Sequence, residues 1–124
     1  MEKTKRVLIV DDEPDLLKAV AFRVQKAGYN VVLASDGGEA LEKARTKGSD
    51  LIVLDQKLPV MDGTEVCKKL KSDDSLKDIP VIFLTASSAA EFLERLRKDT
   101  DIEYVITKPY EAEELLSKIK ELIG

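Results

Sequence analysis

Apolar residues gather in five short runs: "RVLIV" (Arg6–Val10), "NVVLA" (Asn30–Ala34), "LIVLD" (Leu51–Asp55), "VIFLT" (Val81–Thr85) and "EYVIT" (103–107). Each is too short for a helix, and each has the length and β-branched content of a strand in a covered sheet. Between them the spacing changes to the helical period. Leu17, Val20 and Val24, with Leu16 and Ala27 beside them, predict a helix entered through Pro14 and closed by Gly28. Ala40, Leu41 and Ala44 predict a second helix, stopped at Gly48. Asp62 and Glu65 form a D-x-x-E start ahead of the buried stripe Val66, Cys67 and Leu70. Ala89, Leu93 and Leu96 mark a helix to about Lys98, after the polar connection "SDDSLKDI" and Pro80. Leu115, Ile119 and Leu122, with Leu116 and Ile123, mark a final amphipathic helix. Its Glu111, Glu113 and Glu114 suit a positive helix N-terminus.

Strand–helix alternation of this kind implies a parallel sheet with helices on both faces, an α/β fold with residues 1–124 as one domain. All strands then point one way, and their carboxyl ends share a rim, where open α/β sheets bind ligands. The third run is the most informative. Its apolar residues stop at Asp55, and "QKLPVMDG" follows with turn signals at Leu58-Pro59 and Asp62-Gly63. Asp11 and Asp12 follow the first run, Thr85 ends the fourth, and Lys108 follows the fifth. Any one of these could simply cap a loop. Together they converge if strands one, three, four and five are neighbours.

Composition narrows the chemistry. The chain has no histidine, which removes histidine acid–base catalysis, histidine zinc ligands and any histidine phosphoryl carrier within it. One cysteine excludes an internal disulfide and makes a reducing, cytoplasmic compartment the expectation; Cys67 itself falls on a core stripe. A net charge of −4 argues against direct nucleic-acid or membrane-surface binding, and no apolar run approaches the roughly 18 residues of a membrane span. Three close carboxylates need raised pKa values or a cation. An oxygen-only set suits a hard divalent ion, Mg²⁺ above all, in the service of a phosphoryl group. Lys108 and the Thr85 hydroxyl suit other phosphoryl oxygens, and Asp55 is the carboxylate best placed to act as nucleophile. No P-loop or G-x-G-x-x-G is present.

"VLIVDDEPDLL", "DLIVLDQKLPVMDG", "VIFLTA" and "ITKPY" resemble, in order and spacing, the motifs of the response-regulator receiver family of two-component signalling. The resemblance implies a doubly wound, flavodoxin-like (βα)5 sheet of order 2-1-3-4-5. It implies that Asp55 accepts a phosphoryl group from a histidine kinase or phosphotransfer protein. Asp12 and Asp55 would bind Mg²⁺ with the Lys57 backbone carbonyl, and Asp11 through water. Thr85 and the Ala86 backbone N–H would hold phosphoryl oxygens, with Lys108 paired to them and Lys108-Pro109 cis. Weak self-catalysed phosphorylation and dephosphorylation would follow, with output through an effector protein or an output domain not in this sequence.

Family members usually carry an aromatic switch residue three positions before the lysine, where this chain has Val105; Tyr104 is one earlier. Either a bulge or a longer loop restores Tyr104 to that position, or Val105 occupies it and the ring points to the other face, because side chains alternate along a strand. The second arrangement is the expectation. Gln56 and Lys57 occupy variable positions that influence phosphoryl lifetime. Two rivals are a phosphorylation-independent docking module and a Mg²⁺-dependent phosphohydrolase. The second would need an acid two residues beyond the nucleophile, where Lys57 stands.

Overall fold

The computed structural model describes residues 4–86, 94, 97–98 and 104–124. Five parallel strands, β1 (Arg6–Val10), β2 (Asn30–Ala34), β3 (Leu51–Asp55), β4 (Val81–Thr85) and β5 (Tyr104–Thr107), form one sheet of order β2-β1-β3-β4-β5. Helices α1 (Pro14–Lys26), α2 (Gly37–Lys47), α3 (Gly63–Ser72) and α4 (Ala112–Ile123) accompany them. The helix expected from Ala89, Leu93 and Leu96 lies outside the described residues, as does Glu103; Glu94, Arg97 and Lys98 are helical.

Alternation along each strand divides the core in two. Leu8, Val10, Ile52, Leu54 and Phe83 pack with α2 and α3 through Ala40, Leu41, Ala44, Val66, Cys67 and Leu70. Val7, Ile9, Val53, Ile82, Leu84 and Ile106 pack on the other face with Leu17, Val24, Leu115 and Ile119 of α1 and α4. Every residue of β3 is buried. A truncation such as Leu54→Ala would therefore cost about 2–5 kcal/mol.

Local signals mostly act as expected. The Asp36 and Asp62 side chains accept hydrogen bonds from the Glu39 and Glu65 N–H groups, capping α2 and α3 at 2.8 and 3.0 Å. Gly28 and Gly48 end their helices with φ of 105° and 72°. Two details differ. In α1 the buried stripe is Leu17, Ala21 and Val24, with Val20 only partly buried and Ala27 exposed, because i, i+4, i+7 sets the inward face. The connection after α3 is not wholly polar: Leu76 is buried against the α2/α3 core, in a turn where Asp73 accepts bonds from the Ser75 N–H and hydroxyl.

The β3–α3 loop is tightly folded. Val60 is 85 % exposed with φ 71°, and the Met61 N–H reaches the Pro59 carbonyl at 2.7 Å, a γ-turn that a β-branched residue adopts with strain. Gly63 is needed for a different reason: a Cβ there would stand 2.2 Å from the Asp55 carbonyl oxygen and 2.9 Å from the Gln56 Cα. Gly63→Ala is expected to lower stability by roughly 1–3 kcal/mol, since backbone must shift to admit the methyl. Gly38→Ala, whose Cβ would meet only a side-chain oxygen at 3.4 Å, should raise it by about 0.4–1 kcal/mol. Urea titrations of both variants check the pair; equal midpoints would contradict the close approach at Gly63.

Candidate functional site

The strand order makes β1, β3, β4 and β5 consecutive neighbours, so their carboxyl ends do share one rim. Asp55 is the last residue of β3 and is only 5 % exposed. Asp11 follows β1; its N–H donates to the Ala34 carbonyl at 3.1 Å, and its Oδ1 accepts the Glu13 N–H at 3.0 Å. These bonds aim the buried Asp11 carboxylate across the rim. Asp12 is exposed beside it, and oxygens of Asp11, Asp12 and Asp55 lie within 4.8 Å of one another.

Lys108 reaches this cluster from the end of β5. Its backbone N–H donates to the Thr85 carbonyl at 2.7 Å, the following peptide to Pro109 is cis, and its Nζ donates to Asp55 Oδ2 at 3.0 Å. Asp11 Oδ2 is 3.8 Å from the same nitrogen. One ammonium thus serves two buried carboxylates.

The charges act on one another. Burial raises the Asp55 pKa, and the hydrogen bond and charge of Lys108 offset that only in part; the neighbouring Asp11 charge adds to the rise. Burial pulls Lys108 downward, but Asp55 first, then Asp11 and Glu13, outweigh it and hold the amine above its ordinary value. Burial, with the Asp11 and Asp55 charges, pushes the Tyr110 phenol up to about 12, so its hydroxyl stays neutral. Three carboxylates facing one lysine leave the cluster negative. Oxygen donors without histidine or thiol are the set a small hard divalent cation takes, so these residues fit such an ion.

Thr85 is fully buried, and its hydroxyl donates to Gln56 Oε1 at 2.5 Å. Register explains the pairing. Asp55 lies opposite Leu84, so Gln56, next along, lies beside Thr85 on the face of Phe83 and Val105. Asp55 itself has the parity of Val53 and Leu84, on the α1/α4 face. Ala86 is exposed and shares a groove wall with Glu13, Leu16, Lys108, Pro109 and Tyr110. Lys57 is exposed in the loop after β3.

The ladder from Ile82↔Tyr104 to Thr85↔Thr107 runs without a bulge. Tyr104 therefore packs in the α1/α4 core, with Lys118 Nζ 5.5 Å from its ring centroid, and Val105 packs on the face that holds Thr85. Three contributors were not identified from sequence: the Gln56 amide on Thr85, the Tyr110 ring beside the carboxylates, and the Glu13 N–H on Asp11. The first was recoverable only once the β3–β4 register was known.

Residues 7–120 match the response regulator receiver domain family. The alkaline phosphatase synthesis transcriptional regulatory protein PhoP of Bacillus subtilis is 39% identical over 119 residues, which cover 96% of this chain and 48% of that protein. This chain thus spans about half the length of the curated relatives it matches. Among solved structures, the chemotaxis response regulator CheY4 of Vibrio cholerae superposes with a TM-score of 0.89 at 32% identity, covering 98% of this chain and 100% of that one. The receiver domain of a sensor histidine kinase from Pseudomonas aeruginosa, solved with a magnesium ion coordinated in its active site cleft, gives 0.87 at 26% identity, covering 98% and 99%. On the family match and these likenesses, carried by a sheet of the same order, the chain belongs to the response regulator receiver domains, the signalling switches of two-component systems.

Proposed function

We propose that this chain works by taking a phosphoryl group onto Asp55 from the phosphohistidine of a histidine kinase or phosphotransfer protein. The observation that carries this reading is the buried Asp55 carboxylate, 3.0 Å from Lys108 and clustered with Asp11 and Asp12. A carboxylate oxygen forms the new O–P bond as the donor's P–N bond breaks, its electron pair returning to the imidazole nitrogen. Lys108 serves twice: it offsets the burial of the ionised nucleophile, and it remains a cation beside the charge that builds on the phosphoryl oxygens. These 124 residues hold no histidine, so the donor histidine lies outside them.

Asp11, Asp12 and Asp55 are the residues that would hold Mg²⁺, with the Lys57 carbonyl as a further ligand in our proposal. Bound there, the ion supplies charge neutralisation to the carboxylates and to the phosphoryl oxygens. Support comes from the donor set and from the related Pseudomonas receiver. Phosphorylation replaces a carboxylate's single charge by about −1.5 to −2. Thr85, the Ala86 N–H and Lys108 respond to it, shifting the β4–β5 rim between two arrangements and signalling to an effector protein or an output domain. Slow self-catalysed phosphorylation and dephosphorylation belong to this reading. A phosphohydrolase is disfavoured, because the position two residues past Asp55 holds the exposed Lys57 and not an acid.

With Mg²⁺ and acetyl phosphate, the parent is expected to gain one phosphoryl group by intact mass, and Asp55→Asn none. Labelling of that variant at the parent's rate would sink the assignment.

Stability gives an independent check. Because the folded state raises the Asp55 pKa, folding favours the protonated form more than the unfolded chain does, and stability from this group falls as pH rises above about 3.8 through its folded value. In EDTA, Asp55→Asn should therefore melt higher than the parent at pH 7, with the gap closing toward pH 3. Mg²⁺ should reverse the order, stabilising the parent by about 2.7 kcal/mol at a hundredfold excess over Kd. Equal responses of both proteins to Mg²⁺ would remove Asp55 from the metal set.

A further inference from the structure

We propose that Gln56 is a positioning residue that holds the Thr85 hydroxyl in its resting orientation and must release it when Asp55 carries a phosphoryl group. The inference rests on Asp55 being the acceptor. Its basis is the 2.5 Å bond from Thr85 Oγ1 to Gln56 Oε1. The Gln56 backbone is fixed on both sides: its N–H donates to the Leu84 carbonyl at 2.9 Å, and its carbonyl accepts the Gly63 N–H at 2.7 Å. The amide therefore starts from a set point between β4 and α3, and Thr85 is fully buried beneath it.

Parity turns this bond into a competitor. Gln56 and Thr85 share the face of Phe83 and Val105, while Asp55 has the parity of Leu84. A threonine hydroxyl has one proton to donate. Given to Gln56, that proton is unavailable to a phosphoryl oxygen on Asp55. Gln56 thus weights the equilibrium toward the resting arrangement without touching the reacting atoms, and by linkage whatever weakens its grip tightens the hold on the phosphoryl group.

The test compares the parent chain with Gln56→Met, which keeps the volume and removes the amide, in Mg²⁺ with beryllofluoride as the phosphoryl mimic, followed by amide NMR. Loss of one net hydrogen bond from the resting state should make beryllofluoride bind roughly two- to tenfold more tightly. In a Thr85→Ala background the same substitution should change nothing. Without beryllofluoride, the Thr85 hydroxyl proton bonded to Gln56 should resonate downfield in the parent and move upfield in Gln56→Met. Gln56→Glu, which retains an acceptor, should keep it downfield. Unchanged or weaker beryllofluoride binding in Gln56→Met, or a Thr85 hydroxyl proton indifferent to it, would overturn the proposal. If the parent and Asp55→Asn both ignore beryllofluoride, the acceptor reading has failed instead. The hold of Gln56 on Thr85 is then decided by the hydroxyl proton alone, an upfield move in Gln56→Met supporting it and an unchanged shift refuting it.

Discussion

The pairing of Lys108 with Asp55 is the interaction on which the site depends. A strand buried along its whole length delivers a carboxylate to a place that penalises charge. Without a cation at 3.0 Å, burial would raise that carboxylate's pKa further and make its ionised form costlier still. The same lysine reaches Asp11, so the acids on two strands and the amine from a third form one electrostatic unit. Parallel order makes this possible: β1 and β3 are neighbours, β5 lies one strand beyond β4, and all end on the same rim, so the long Lys108 side chain spans the rim to both acids.

Much of this could be read from the chain. All five strands begin or end where apolar runs begin or end, because a strand covered on both faces has little room for polar residues. Asp36, Asp62, Gly28 and Gly48 mark helix ends by local hydrogen bonding and backbone freedom, which act within a few residues and so show in sequence. What escaped was set by distant neighbours. Leu76 sits in a polar stretch and is buried only because the chain folds back over α2 and α3. Gly63 has an ordinary turn signal, yet its deeper constraint is the Asp55 carbonyl eight residues earlier. The Gln56–Thr85 bond required the β3–β4 register, which alternation alone does not supply.

The fifth strand shows how far register carries. One position decides whether an aromatic ring meets α4 or the threonine face, and the unbroken ladder places Tyr104 with α4 and Val105 with Thr85. A family habit based on counting back from the lysine gives the same parity here. The side chain at the counted position is Val105, opposite Phe83 in the ladder.

The strand that carries Asp55 has neighbours on both edges and helices on both faces. Such a strand has nowhere to go. It is the stator of the device, and on the proposed function signals leave through parts able to turn: the Thr85 hydroxyl at the end of β4 and the Lys108 ammonium after β5. Chemistry is thereby separated from communication. On the proposed function, substitutions on that rim would retune whom the domain addresses while Asp55 stays where it is, one scaffold serving many conversations.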